Sequence, residues 1–166
     1  MKSFVITILD NQQSVQAAKR CIATAQQVAN IHVEAYKAFT PADKPWEILH
    51  KKGISPHGFV ERYSRLENCM SCFLSHHSLW EKAVKNDETI IVFEHDAIVT
   101  GKVPVDESFN GCMTFSKPSY GKFNTPIKLG VDGLVQKQYF GGAHGYIINP
   151  YGAEQFIKKA KTEAAP

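Results

Sequence analysis

An apolar, β-branched stretch of this chain runs straight into a pair of acids. Thr89–Ile98 reads T-I-I-V-F-E-H-D-A-I. The apolar run is continuous rather than alternating, which predicts a strand buried on both faces. Glu94 and Asp96 stand one residue apart at its end. Phe4–Leu9 predicts an earlier strand. Asp10 or Asn11 is placed to cap a helix after it. In that helix Val15, Ala18, Ile22, Ala25 and Val28 recur at helical spacing and turn one stripe toward a sheet. Ile31–Phe39 alternates, with Ile31, Val33 and Ala35 against His32, Glu34 and Tyr36, and predicts a second strand. Strand, helix, strand in that order predicts a parallel pair with a right-handed crossover.

Thr40–Phe59 is rich in Pro, Gly and Lys and predicts a long loop with at most one helical turn near Trp46. Long loops in compact domains are often functional. Glu61–Val84 is helical in pattern, with Leu66, Phe73, Leu74, Leu79 and Trp80 among its apolar positions, and Asn86-Asp87 ends it. Gly111–Phe115 predicts a short strand, Lys117–Gly133 an irregular segment, and Leu134–Phe140 and Ala143–Ile148 two further strands. Pro150 suits a first helical turn. Tyr151–Lys161 predicts a last helix with Ala153, Phe156, Ile157 and Ala160 inward. The expected architecture is one α/β domain over residues 1–166, a mixed central sheet flanked by helices.

Composition excludes several classes. A hydrophobic share of 43% and a charged share of 21% in 166 residues are those of an ordinary globular chain. A net charge of +3 is too small to argue for nucleic acid. The lysine pairs Lys51-Lys52 and Lys158-Lys159 read as solvated faces, and leave room for peripheral contact with an anionic membrane surface. No run reaches transmembrane length. Met1-Lys2-Ser3 leads into a strand without a signal-peptide apolar core, so the expected location is the cytoplasm. Cys21, Cys69, Cys72 and Cys112 do not make a disulfide scaffold in a chain of this size, and are expected to be small buried thiols.

Ligands of open α/β sheets bind beyond the carboxyl ends of the strands. Acids such as Glu94 and Asp96 need something positive at that place. A divalent cation, Mn²⁺ or Mg²⁺, with the diphosphate it bridges is the best candidate; a solvated strand-to-loop junction is the plain alternative. Ser75 and His76, on one predicted helix with Trp80, read as the polar edge of a ligand cleft, or as a core helix whose histidine is satisfied by a carbonyl. His144 lies between Gly142 and Gly145, which let backbone approach a ligand closely. It would complete a metal shell or bond a diphosphate oxygen, or else sit in a plain turn. Tyr146 reads as core. The spacing Cys69-x-x-Cys72-x-x-x-His76 invites a zinc reading, but a continuous helix presents such ligands poorly. Arg62, Arg65, Lys122 and Lys128 are candidates for phosphate contact or solvated side chains, with nothing to choose between them.

Taken together, S-H-H-S-L-W at Ser75–Trp80, I-I-V-F-E-H-D-A at Ile90–Ala97 and G-A-H-G-Y-I-I-N-P-Y-G-A at Gly142–Ala153 resemble glycosyltransferase family 25. That family includes lipopolysaccharide and collagen galactosyltransferases. Ser75, His76, Trp80, Glu94, Asp96, Ala97, Tyr146, Gly152 and Ala153 match its pattern. His95 stands where the family has the middle acid of Glu-Asp-Asp, Cys69 where it commonly has Glu and Ser71 where it commonly has Gly. Family members usually continue further, so the resemblance leads us to expect a short member. The resemblance implies a single-domain glycosyltransferase fold of type A and a nucleotide-diphospho-sugar donor, UDP-galactose or another UDP-hexose. It also implies a saccharide acceptor and inversion at the anomeric carbon. On that basis Glu94 and Asp96 are metal ligands, and Ser75, His76, Glu94, His95 and His144 are donor contacts. His95 points away from Glu94 if strand geometry persists. The general base is unassigned. Asp132, in the Val131-Asp132-Gly133 turn, is a weak candidate. A catalytically inactive nucleotide- or sugar-binding module is the alternative that His95 and the short chain raise.

Overall fold

The structure, a computed structural model, describes residues 1–61, 64–106, 108–115 and 143–163. Arg62, Lys122, Lys128, Asp132, the predicted irregular segment and the predicted strand at Leu134–Phe140 lie outside the described residues.

Among those residues the chain forms a five-stranded mixed sheet and four α-helices. The strands are β1 (Lys2–Thr7), β2 (Glu34–Lys37), β3 (Ile90–Glu94), β4 (Cys112–Thr114) and β5 (Gly145–Ile148), in the spatial order β2-β1-β3-β5-β4. β1 is parallel to β2 and to β3, whereas β5 runs antiparallel to β3 and β4. The helices are α1 (Gln12–Thr24), α2 (Pro45–Lys52), α3 (Leu66–Asn86) and α4 (Pro150–Thr162).

Both faces of the sheet are covered, as the unbroken apolar runs require. Val5, Ile91, Phe93 and Ile147 point to the α1 side and pack with Ala18, Cys21 and Ala25. Phe4, Ile6, Ile90, Val92, Tyr146 and Ile148 point to the other side and pack with Leu79, Ala83 and Ala153 of α3 and α4. A smaller core of Leu49, Ile54, Phe59, Met70, Phe73 and Leu74 joins α2 to α3. Two-residue alternation along β3 therefore sends Glu94, after Ile90 and Val92, to the α3 face.

Several boundaries differ from the sequence expectation for identifiable reasons. Asn11, not Asp10, caps α1: its Oδ1 accepts from Gln13 N at 2.9 Å and Ser14 N at 3.1 Å. Val28 is exposed rather than inward, because the helix widens into a π-turn over Ala25–Ala29 and the extra residue rotates the stripe onto Ala29. β2 is short and lies at the sheet edge, starting after Asn30 takes a left-handed turn (φ 53°). Thr40–Phe59 holds a true helix, α2, opened by Pro45 and closed by Gly53 in the left-handed region at φ 67°. α3 begins at Leu66 rather than Glu61, because the Glu61 carboxylate accepts from Leu66 N at 2.9 Å and so acts as a cap from outside the helix. Phe156 is exposed where an inward position was expected, although it stacks on Trp80 at 5.1 Å. In α4, Gly152 lies against the backbone of Gly111, where an added Cβ would overlap. No described helix is long and apolar enough to cross a membrane.

Candidate functional site

β3 ends at Glu94, and the chain turns at once: Ala97 N donates to Glu94 O at 3.0 Å across His95 and Asp96. Strand geometry therefore does not persist through His95, and the expectation that His95 points away on that ground falls. The turn folds Asp96 back toward Glu94. β5 supplies the next group. Because it runs antiparallel to β3, its first residues meet the carboxyl end of β3, and Glu94 N donates to His144 O at 3.2 Å. Glu94, Asp96 and His144 thus converge, each offering one ligand atom within 4.8 Å of the others.

α3 approaches Glu94 from the other side. His76 Nε2 lies 3.5 Å from Glu94 Oε1, while His144 Nε2 lies 4.0 Å from Oε2. At 3.5 Å the His76 contact is a close pair rather than a formed hydrogen bond. Burial works against the charge on Glu94, but the imidazoles of His76, His144 and His95 outweigh it and hold the carboxyl below its ordinary range.

His76 is braced from behind. Its Nδ1 is 2.9 Å from the Tyr146 hydroxyl, which also accepts from Trp80 Nε1 at 3.0 Å. Trp80 can only donate, so the single Tyr146 proton is available to His76 Nδ1. In the neutral ring that leaves the proton on Nε2, facing Glu94. Tyr146 is core, as expected, yet it also orients the histidine. Trp80 and Tyr146 are 66 residues apart in sequence, and nothing in the spacing alone shows that they meet. Desolvation drives the Tyr146 pKa upward, so its proton stays in place.

Ser75 is 1% exposed. Its hydroxyl donates to Ser71 O at 2.8 Å and accepts from Phe39 N at 2.9 Å, stitching α3 to the chain after β2. Asp96 is exposed and His95 half-buried. Cys21 is buried, but Cys72 is exposed, contrary to expectation, and Cys69 and Cys112 are intermediate. Although Cys72 is exposed as a residue, its sulfur is desolvated and lies near the Glu94 and Asp96 carboxylates, and its pKa is pushed up to about 12. Arg65 precedes α3 and is exposed. A cavity of about 440 Å³ opens beyond the carboxyl ends of β1 and β2, lined by Leu9, Asp10, Lys37, Thr40 and Asp43.

A doubly covered sheet with carboxylates and imidazoles gathered at the carboxyl end of its central strand is a glycosyltransferase-like α/β fold. The chain belongs to glycosyltransferase family 25, described as LPS biosynthesis protein, whose model matches residues 1–108. That span carries β1 to β3, His76, Trp80 and the Glu94–Asp96 turn, and ends before β5. Membership implies a glycosyltransferase with a sugar donor and an acceptor. No curated protein matches the chain.

Proposed function

We propose that this protein transfers a hexose, galactose first among candidates, from a nucleotide-diphospho-sugar to a saccharide acceptor. The reaction is metal-dependent and inverts the anomeric carbon. The observation that carries the reading is the convergence of Glu94, Asp96 and His144 at the carboxyl end of β3. Two carboxylates and one imidazole are a donor set suited to a divalent cation of the Mn²⁺ kind, with room for water and phosphate oxygens. When bound, the cation supplies charge neutralisation for the diphosphate leaving group.

The chain's own residues then have distinct tasks. Glu94 holds a fixed, ionised carboxylate because three imidazoles surround it. His76, locked by Tyr146 and Trp80, keeps that carboxylate oriented. The cavity by Asp10, Lys37 and Thr40 opens at the same carboxyl edge of the sheet as Glu94, beyond β1 and β2, and suits the nucleoside end of the donor. An acceptor hydroxyl attacking opposite the nucleotide needs a base to take its proton. Asp132 remains a candidate for that task.

A binding module without turnover is the second reading, favoured by His95 in place of a carboxylate. The test is a thermal-shift panel of nucleotide-sugars with and without Mn²⁺, repeated on Asp96→Ala, together with a transfer and hydrolysis assay. A matching donor stabilises the wild type only with Mn²⁺, and Asp96→Ala loses the response. Equal responses of the two proteins to every donor would refute the metal assignment. Binding without turnover would select the second reading.

A further inference from the structure

Glu94 has a second set of neighbours. Cys72 and His76 are four residues apart on α3 and so share a face. Cys72, His76 and Glu94 each offer a ligand atom within 4.8 Å of the others. His76 is 7% exposed, and its Nε2, turned to Glu94 Oε1, has no hydrogen bond. Once the ring proton has moved to Nδ1, that buried nitrogen is a ligand atom held in position beside the carboxylate. Cys69, one turn earlier, does not belong to the group: its Sγ faces Val60 O at 4.0 Å and Ser64 O at 3.8 Å. The helix therefore offers one thiol, and the third ligand comes from β3.

We propose that Cys72, His76 and Glu94 form a second metal site, for Zn²⁺ or a similar borderline-soft dication, which shares Glu94 with the Glu94–Asp96–His144 set. Sulfur and imidazole favour zinc over Mn²⁺ or Mg²⁺, and three protein ligands leave a fourth position for water. The exposed side of Cys72 gives the ion a way in. On binding, the Cys72 S–H bond breaks, its proton goes to water, and the sulfur lone pair makes the S–Zn bond. The ring proton of His76 moves from Nε2 to Nδ1, the Tyr146 O–H rotates away from Nδ1 while keeping its proton, and the Tyr146 oxygen then accepts from both His76 Nδ1 and Trp80 Nε1. No electrons are transferred. Since one carboxylate serves both sets, zinc and the donor's cation compete. The competition rests on the metal reading of the proposed function, whereas zinc binding itself does not.

The full chain is titrated with Zn²⁺ by calorimetry and with Co²⁺ by absorption, in a phosphine reductant. One ion per chain is expected, with a thiolate-to-cobalt charge-transfer band. Cys72→Ser loses the band and binds Zn²⁺ at least about tenfold more weakly, the lower end of what even outer-shell losses cost. Cys69→Ser keeps both signals. Asp96→Ala also keeps both, although it loses the Mn²⁺ response to donor. Mn²⁺ with nucleotide-sugar shifts the Zn²⁺ titration to higher concentration. A missing band, or one that survives Cys72→Ser, overturns the site. A Zn²⁺ titration that Mn²⁺ leaves unmoved overturns the sharing of Glu94 while leaving the zinc ligands standing.

Discussion

His76 and His77 are neighbours on α3, and both are buried, at 7% and 1% exposure. Their hydrogen bonding differs. His76 faces the sheet, where Tyr146 and Glu94 meet its ring and Trp80 bonds the same Tyr146 hydroxyl. His77 faces the α2 side, between Phe73 at 5.6 Å and Trp80 at 6.0 Å, and neither of its nitrogens has a hydrogen bond. Its Nδ1 lies 3.6 Å from Glu81 Oε1. A buried polar ring is costly unless its atoms are matched. One histidine is therefore part of a polar network that ends in the candidate site. The other is a polar ring in an apolar core. Burial alone does not separate them; their partners do.

The largest test of this difference acts on the end of the network. Glu94→Gln keeps the shape but removes the anion that His76 and His144 face. We expect it to fold, by circular dichroism, and to lose the Mn²⁺-dependent stabilisation by nucleotide-sugar. In the wild type that stabilisation is about 2.7 kcal/mol at a hundredfold excess of ligand over Kd. A retained shift would show that the Glu94 side of α3 is as passive as the His77 side.

The sequence displays one side of this comparison better than the other. The buried run Ile90–Phe93 and the acids after it are legible because a strand's pattern is local. So is the parallel pairing of β1 with β2, because a strand-helix-strand crossover follows a rule of hand. The approach of His144 to Glu94 was open to inference only as one of several alternatives, since it depends on β5 running antiparallel beside β3. Trp80, Tyr146 and His76 meet across α3 and β5, a contact set by tertiary packing. A continuous helix presents the spacing Cys69-x-x-Cys72-x-x-x-His76 poorly for a shared ligand: the Cys69 Sγ faces Val60 O and Ser64 O, and the carboxylate that comes within reach of Cys72 and His76 is Glu94 from β3, which no spacing within the helix reveals. α2 was written in Pro45 and Gly53, but eight residues with a weak apolar stripe gave the periodicity little to show.

A smaller effect separates the two histidines directly. His76→Leu leaves the Tyr146 hydroxyl without its acceptor, and Tyr146→Phe takes the donor from His76 Nδ1 and the acceptor from Trp80 Nε1. Each change should lower unfolding free energy by about 1–3 kcal/mol, the cost of a stranded buried polar group. Because they break one network, the double variant should lose less than the two singles added, as a urea double-mutant cycle would measure. His77→Leu strands nothing, since its nitrogens have no hydrogen bonds to lose. At pH 8 it should match the wild type within about 1 kcal/mol or exceed it. Equal losses at both histidines would erase the distinction.

The smallest effect is in pH. Burial lowers the His77 pKa below its ordinary 6.5 against the pull of Glu81, and Lys52 and Lys161 oppose protonation further. Between 6.5 and that lowered value the unfolded chain takes a proton that the folded chain refuses. Stability therefore falls as pH drops below 6.5, and is independent of His77 above it. The slope from one such group is at most about 1.4 kcal/mol per pH unit. Glu94 acts lower still: its carboxyl is held below the usual 4.5, so its contribution is present above 4.5 and fades as pH falls through the lowered value. His77→Leu should flatten the loss that begins below pH 6.5 and leave the steeper acid limb unchanged. Urea midpoints at half-unit steps of pH give both slopes. If the variant and the wild type run parallel across that window, His77 accepts its proton in the folded protein as readily as in the unfolded one, and its apolar surroundings do not govern it.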